Sequence, residues 1–167
     1  MPAAPAHVLV SLAQDVLARG ERLWVREASA SMLPLVRPGD ELLLAPLDGR
    51  SIRAGALIAY ERDAELVIHR VVAASGSGVV TKGDALASPD PLVPWERVVA
   101  RVVALRGRAG RLVNLEAFPW PLLDRWLGAV ASLASGLRLG ERPSSPWRRL
   151  AWKALRVPFY LARLVLR

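Results

Sequence analysis

The sequence predicts a mainly β domain, barrel-like or sandwich-like, with a short N-terminal helix and a C-terminal amphipathic α-helical extension. Three observations predict it: apolar runs of strand length between Gly- and Pro-rich turns, one amphipathic stretch before them, and a change of texture at Phe118. At 167 residues, 53% of them apolar, the chain suits one domain of modest size plus an appendage.

The opening MPAAPAHVLVSLAQDVLARGE carries no basic leader, and Asp15 cuts its apolar stretch short. It reads as an amphipathic helix within 1–21 rather than an export signal. Strands are expected at 22–27, 41–45, 56–61, 66–74, 79–82 and 97–106, separated by PGD, DGR, RDAE, SGSG and ASPDPLVP, which places a β-rich domain over 22–117. The run ELVIHRVVAA is apolar at successive positions, as a strand covered on both faces should be. From 118 to 167 the sequence predicts a helix over 121–140, a GERPSSP linker, and a second basic helix kinked at Pro158. The longest uncharged run of this region, 126–137, is 12 residues, short of the roughly 20 that cross a bilayer.

Charge separates the same two regions. Residues 1–117 hold 14 Lys and Arg against 13 Asp and Glu, whereas 118–167 hold 9 against 2, so +7 of the net +8 belongs to the extension. A nucleic-acid reader more often spreads its basic residues over the folded domain, and no nucleic-acid partner is expected. Arg148, Arg149, Lys153, Arg156 and Arg163 interleave with Trp147, Trp152, Leu155, Phe159, Tyr160 and Leu164, the composition of a helix lying in the plane of an anionic membrane surface. The alternative is that these helices pack on the β domain or on a partner protein.

With no cysteine, disulfides, thiolate metal sites and a cysteine nucleophile are excluded. His7 and His69 are the only histidines, so no multi-histidine metal site forms, and no cofactor is expected. There is no internal repeat and no Gly-rich phosphate loop. His7 reads as an ordinary surface or packing residue. His69 sits inside an apolar strand, where a polar ring requires a hydrogen-bonding partner. Taken singly, Ser31, Asp84 and Asp90 are turn residues. Together, Ser31, His69 and Asp90 supply a nucleophile, a base and an orienting carboxylate, although spacing alone does not bring them into contact.

VREASASMLPLVRPGDELLLAP resembles the nucleophile box of the type I signal peptidases: a small residue, any residue, Ser-Met, one residue, Pro, and then Gly-Asp before an apolar strand. Ser31, Met32, Pro34, Gly39 and Asp40 match. AGALIAYE resembles the family's Gly-Asp-hydrophobic-Tyr strand with Ala56 in place of Asp, IHRVVA its His-Arg-Val strand, and TKGDALASPD its Thr-Lys-Gly-Asp-Ala box with a second Asp six residues on. The four boxes keep family order over about half the chain. His69 corresponds to the histidine-base branch, the archaeal and endoplasmic-reticulum-like members, and a Ser-Lys dyad through Lys82 or Lys153 fits poorly.

The resemblance implies a signal-peptidase-like catalytic domain cutting peptide or preprotein substrates after small residues. Ser31 would be the nucleophile, His69 the base and Asp90 its orienting acid, with Asp84 as alternative or support. The Ser31 N–H and the Ser29 hydroxyl would form the oxyanion hole. Met32 and Pro34 would line substrate pockets, with core packing the competing reading of Met32. The chain departs from the family in lacking its N-terminal membrane anchor and in carrying the helical extension. The expectation is peripheral attachment at the cytoplasmic face and a dedicated precursor as substrate. Two other classes compete: a non-catalytic membrane-surface or protein-binding module of the same fold, and a self-cleaving repressor domain, which would need a lysine base and a preceding helix-turn-helix.

Overall fold

The computed structural model describes residues 6–47 and 52–136, together with Val157, Tyr160, Leu161, Arg163 and Leu164. Helix α1 (Ala6–Ala18) comes first, His7 lying on it with a side chain outside those described. Val10, Ala13 and Leu17 recur at helical spacing and are its buried face. Gly20, at φ 80°, takes the chain out of the helix and donates its N–H to Leu17 O at 3.0 Å.

The strands are β1 (Leu23–Arg26), β2 (Glu41–Ala45), β3 (Leu57–Arg62), β4 (Glu65–Ser75), β5 (Gly78–Lys82), β6 (Val93–Pro94), β7 (Val98–Arg106) and β8 (Leu112–Asn114). They form one antiparallel sheet in the order β1-β2-β7-β3-β4-β5-β6, with β8 also paired to β7. The architecture is therefore mainly β. All six expected strands are present with small shifts at their ends. Sequence reading missed β6 and β8, which are two and three residues long. In β6 the proline pointed to a loop, yet Pro94 pairs with Gly78 at the sheet edge, where a missing N–H costs no ladder bond.

The β3–β4 hairpin sets the frame for the site. Arg62 pairs with Glu65, leaving Asp63 and Ala64 as a two-residue turn with φ of 53° and 62°, the sense that matches strand twist. This register puts Ile58 opposite His69. Because side chains alternate, Ile58, Tyr60, His69 and Val71 share one face, and Leu57, Ala59, Ile68 and Arg70 the other. Both faces are covered. Leu57, Ala59 and Ile68 join the larger core with Ala13 and Leu17 of α1, while Ile58, Tyr60 and Val71 join a smaller one with Val79, Val93 and Val98.

Helix α2 (Trp120–Gly136) presents Leu127, Val130 and Ala131 inward. It approaches the loop before β3 so closely that a Cβ at Gly128 would lie 2.6 Å from Gly55 N, so this contact requires glycine. The remainder of the first expected helix, the 140–146 linker and the Pro158 kink lie outside the described residues. Val157, Tyr160, Leu161 and Leu164 are exposed, whereas Arg163 is buried. No helix among the described residues is long and apolar enough to cross a membrane.

Candidate active site

Ser31 opens the turn that follows β1. Leu33 N donates to Ala30 O at 3.3 Å and Val36 N to Met32 O at 3.1 Å, which fixes the turn's backbone. Below it Met32, Leu35 and Val36 are fully buried. The KGDA segment after β5 lies against it: Ala85 N donates to Ser31 O at 2.8 Å, and a Cβ at Gly83 would come within 2.8 Å of that oxygen. Two stretches far apart in the sequence thus meet backbone to backbone.

His69 is carried by β4 with its side chain 2% exposed. Its Nδ1 lies 2.6 Å from Asp90 Oδ2. A carboxylate only accepts, so Nδ1 carries the proton of this bond, and in the neutral ring the lone pair lies on Nε2. Asp90 is held in turn by three further contacts. Its N–H donates to Thr81 O at 2.8 Å, Thr81 Oγ1 donates to Oδ2 at 2.7 Å, and Arg62 Nη1 donates to Oδ1 at 3.0 Å. Burial pushes the Asp90 carboxyl up, but the hydrogen bonds from His69 and Thr81 and the charge of His69 outweigh it and hold the group below the usual carboxylate range. The Tyr60 hydroxyl sits 3.4 Å from His69 Nδ1, and burial raises its own pKa. Tyr60 reaches the imidazole because it lies two residues along β3 from the position opposite His69.

A cleft of about 430 Å³ brings the two halves of the site to one space, with Ser29 and Ser31 on one wall and His69 on another. Its walls are the two stretches Val25 to Ser29 and Glu65 to His69, with Leu86 at one end. Among the described residues β1 pairs only with β2, and the 65–69 half of β4 only with β3, so each wall presents a strand edge that no described strand covers. Ser31 Oγ is hydrogen-bonded to Ser29 Oγ at 3.0 Å, and no hydrogen bond joins it to His69 among the described residues.

The other sequence-predicted residues fall elsewhere. Asp84 does not meet His69: it takes a two-point ion pair from Arg70, Nε to Oδ1 and Nη2 to Oδ2, both at 2.9 Å. Asp90 is thus the carboxylate on the imidazole and Asp84 a buried counter-charge on the opposite face of the strand. Arg70 Nη1 also donates to Gly55 O at 2.7 Å and to Asp124 Oδ1 of α2 at 3.1 Å. Burial disfavours the guanidinium charge, but Asp84 and Asp124 outweigh that and hold its pKa above the ordinary arginine value. Lys82 reaches α2, its Nζ 3.4 Å from Ala131 O, and burial lowers its pKa against the attraction of Asp84. The expectation that Met32 and Pro34 line substrate pockets is corrected: both are buried, Met32 completely, and Met32 packs in the larger core because the turn directs these side chains inward. Ser29 Oγ donates to Glu27 Oε1 at 2.7 Å rather than into the cleft.

Asp40, the last residue of the nucleophile box, is fully buried beneath the same turn. It accepts from Arg37 N at 2.9 Å and from Arg163 at both oxygens, Nη1 to Oδ2 at 2.5 Å and Nη2 to Oδ1 at 3.1 Å. Arg163 Nη1 also reaches Leu35 O at 3.0 Å. Sequence reading missed Glu27, Tyr60, Arg62 and Thr81. Tyr60 and Thr81 carried a usable signal as members of the AGALIAYE and TKGDALASPD boxes, and Tyr60 also through the hairpin register; Glu27 and Arg62 carried none. Among the described residues no group of three His, Asp or Glu side chains is placed to hold a metal ion.

Asp124 supplies a pH test of how α2 is fastened. Burial pushes its carboxyl up to about 6 against the attraction of Arg70. Between an unfolded value of about 3.9 and this folded one, the folded chain keeps a proton that the unfolded chain has lost. Stability from this group is therefore present below pH of about 4 and is lost as pH rises through about 6, a difference of about 3 kcal/mol. Asp124→Asn, neutral at every pH, is expected to remove that slope. Urea unfolding of both chains at several pH values from 4 to 7 checks it, and parallel stability curves would contradict it.

Searches against protein-family models and curated proteins find no match to the chain.

Proposed function

We propose that the chain is a serine endopeptidase of the signal peptidase I type, using Ser31, His69 and Asp90 to cut a leader or signal segment from a precursor. The observation that carries this is the 2.6 Å His69–Asp90 bond at a cleft that Ser31 also lines. The ordered resemblance of four sequence boxes to that family points to the same fold and chemistry.

In the proposed cycle, Ser31 Oγ bonds to the substrate carbonyl carbon as its proton passes to His69 Nε2. Asp90 keeps Nδ1 protonated and stabilises the imidazolium. Collapse breaks the C–N bond, and the leaving amine takes the proton from Nε2. Water then gives its proton to His69 and its oxygen to the acyl carbon, and the ester breaks to restore Ser31. The Ser31 N–H, in a long 3.3 Å contact with Ser29 Oγ at rest, would exchange that contact for the oxyanion as its first donor. The substrate would enter extended, pairing with the free edges of β1 and the 65–69 half of β4, which gives affinity without sequence readout. The apolar wall residues Val25, Leu66, Ile68 and Leu86, rather than Met32 and Pro34, would meet its side chains.

The test is cleavage of peptides carrying Ala-x-Ala sites by the full chain, together with covalent labelling by a fluorophosphonate. Cleavage and labelling at Ser31 are expected. One observation favours the non-catalytic module as a second reading: the resting Ser31 hydroxyl is bonded to Ser29 and not to His69. Absence of labelling would select that module over the enzyme.

For the extension we propose attachment to an anionic membrane surface. Phe118, in the turn before α2, and Leu122 and Trp126, one helical turn apart on it, are exposed by 83%, 60% and 52%, while Val157, Tyr160, Leu161 and Leu164 are exposed at helical spacing beyond it. These apolar positions lie in the region that holds nearly all the net charge. A full-length variant with Phe118, Leu122 and Trp126 changed to Ser is expected to float less with vesicles containing phosphatidylserine. Equal flotation of the two chains would sink the proposal.

A further inference from the structure

We infer that Glu27 is a positioning residue for Ser31, acting through the hydroxyl of Ser29; the inference rests on Ser31 being the nucleophile. Glu27 follows β1, and its backbone is fixed on both sides, its N–H donating to Asp40 O at 2.9 Å and its carbonyl accepting from Gly39 N at 2.7 Å. Its side chain turns in, leaving the residue only 7% exposed. Oε1 accepts from both Ser29 N, at 2.8 Å, and Ser29 Oγ, at 2.7 Å.

The direction of the next bond follows from counting protons. An ionised carboxylate only accepts, so the single hydroxyl proton of Ser29 lies on the Glu27 side. Across the 3.0 Å contact between Ser29 Oγ and Ser31 Oγ, Ser31 is therefore the donor. The Ser31 N–H points to the same oxygen at 3.3 Å. Glu27 thus makes Ser29 an acceptor, and Ser29 holds the Ser31 hydroxyl in one orientation beside the cleft. Attack begins when that proton leaves Ser29 for His69, so the side chain's starting position is set from Glu27. While the Ser29 hydroxyl proton is committed to Glu27, Ser29 is not free to donate to an oxyanion, which makes its contribution an orienting one. A neutral acceptor would shape the same loop at lower desolvation cost, so a buried carboxylate here calls for a reason beyond loop geometry.

The experiment measures the fluorophosphonate labelling rate of Ser31 and peptide kinetics in the full chain, comparing wild type, Glu27→Ala, Glu27→Gln, Ser29→Ala and the two double variants. Glu27→Ala is expected to slow labelling by about 10- to 100-fold, the worth of one hydrogen bond to a charged group, with the loss falling on kcat while KM stays within about twofold. Glu27→Gln keeps the volume and one acceptor oxygen and is expected to lie between Ala and wild type. Because both residues act through one link, neither Glu27 change should slow the chain further once Ser29 is alanine. If Glu27→Ala does not fold, Glu27→Gln with Ser29→Ala carries the same comparison. Additive losses, or wild-type rates in the Glu27 variants, overturn the inference and leave Ser31 as nucleophile. A wild-type chain that never labels at Ser31 overturns that assignment and this inference with it.

Discussion

Ser31→Ala is expected to lower kcat for peptide cleavage by about 10⁴-fold or more and to abolish fluorophosphonate labelling, with the chain still folded. The side chain is polar and short, its hydroxyl touches only Ser29 among the described residues, and the turn is held by backbone bonds and the buried residues below it. His69→Ala should cost a similar factor, and the double variant little more, because nucleophile and base act as one unit. Asp90→Asn is the sharper probe. An amide NH₂ facing Nδ1 favours the tautomer with the proton on Nε2, which cannot accept from Ser31, and a loss of about 10⁴-fold follows. Pre-steady-state cleavage of an ester and an amide substrate measures all three. An Asp90→Asn chain within about tenfold of wild type would remove Asp90 from the mechanism.

The second large effect is on stability. Arg70 has no exposed side-chain surface, and neither has Asp84, which it meets at two points. Arg70→Ala leaves a buried carboxylate without its counter-charge, and the expected loss is about 3 to 5 kcal/mol. It also releases Gly55 O and Asp124, so the contact between α2 and the sheet loosens at the same time. Urea denaturation of the purified variant reads the effect. A loss below about 1 kcal/mol would mean that water replaces the guanidinium, which the tight burial argues against.

Much of this was legible because strand patterning is local. The run LVIHRVV announced a strand covered on both faces, and the hairpin register then decided which neighbours share a face with His69. His69 stood out because it breaks an apolar strand, whereas Ser31 and Asp90 read as turn residues singly and stood out only in combination and through the ordered boxes. The choice between Asp84 and Asp90 was not so legible, since both follow β5 closely. It is made by the chain folding back so that Asp90 N reaches Thr81 O, a bond no spacing rule announces. Glu27 was invisible for a related reason. A glutamate just after an edge strand is ordinarily solvated, and this one is buried only because Gly39 and Asp40 return to pair with its backbone. For Met32 the sequence left pocket lining and core packing both open, and the turn directs the side chain into the core.

The Arg163–Asp40 ion pair has a consequence in time as well as in space. Its partners are 123 residues apart, and a ribosome adding about 5 to 20 residues per second needs several seconds to pass from one to the other. Throughout that interval Asp40 can take the N–H groups of Arg37 and Arg108 but not the Arg163 guanidinium. A nascent chain can pair its strands and form the hairpin that carries His69, yet the support under Ser31 is completed only when the extension emerges. Synthesis itself thereby orders the assembly, the turn that carries Ser31 gaining this ion pair only from the extension.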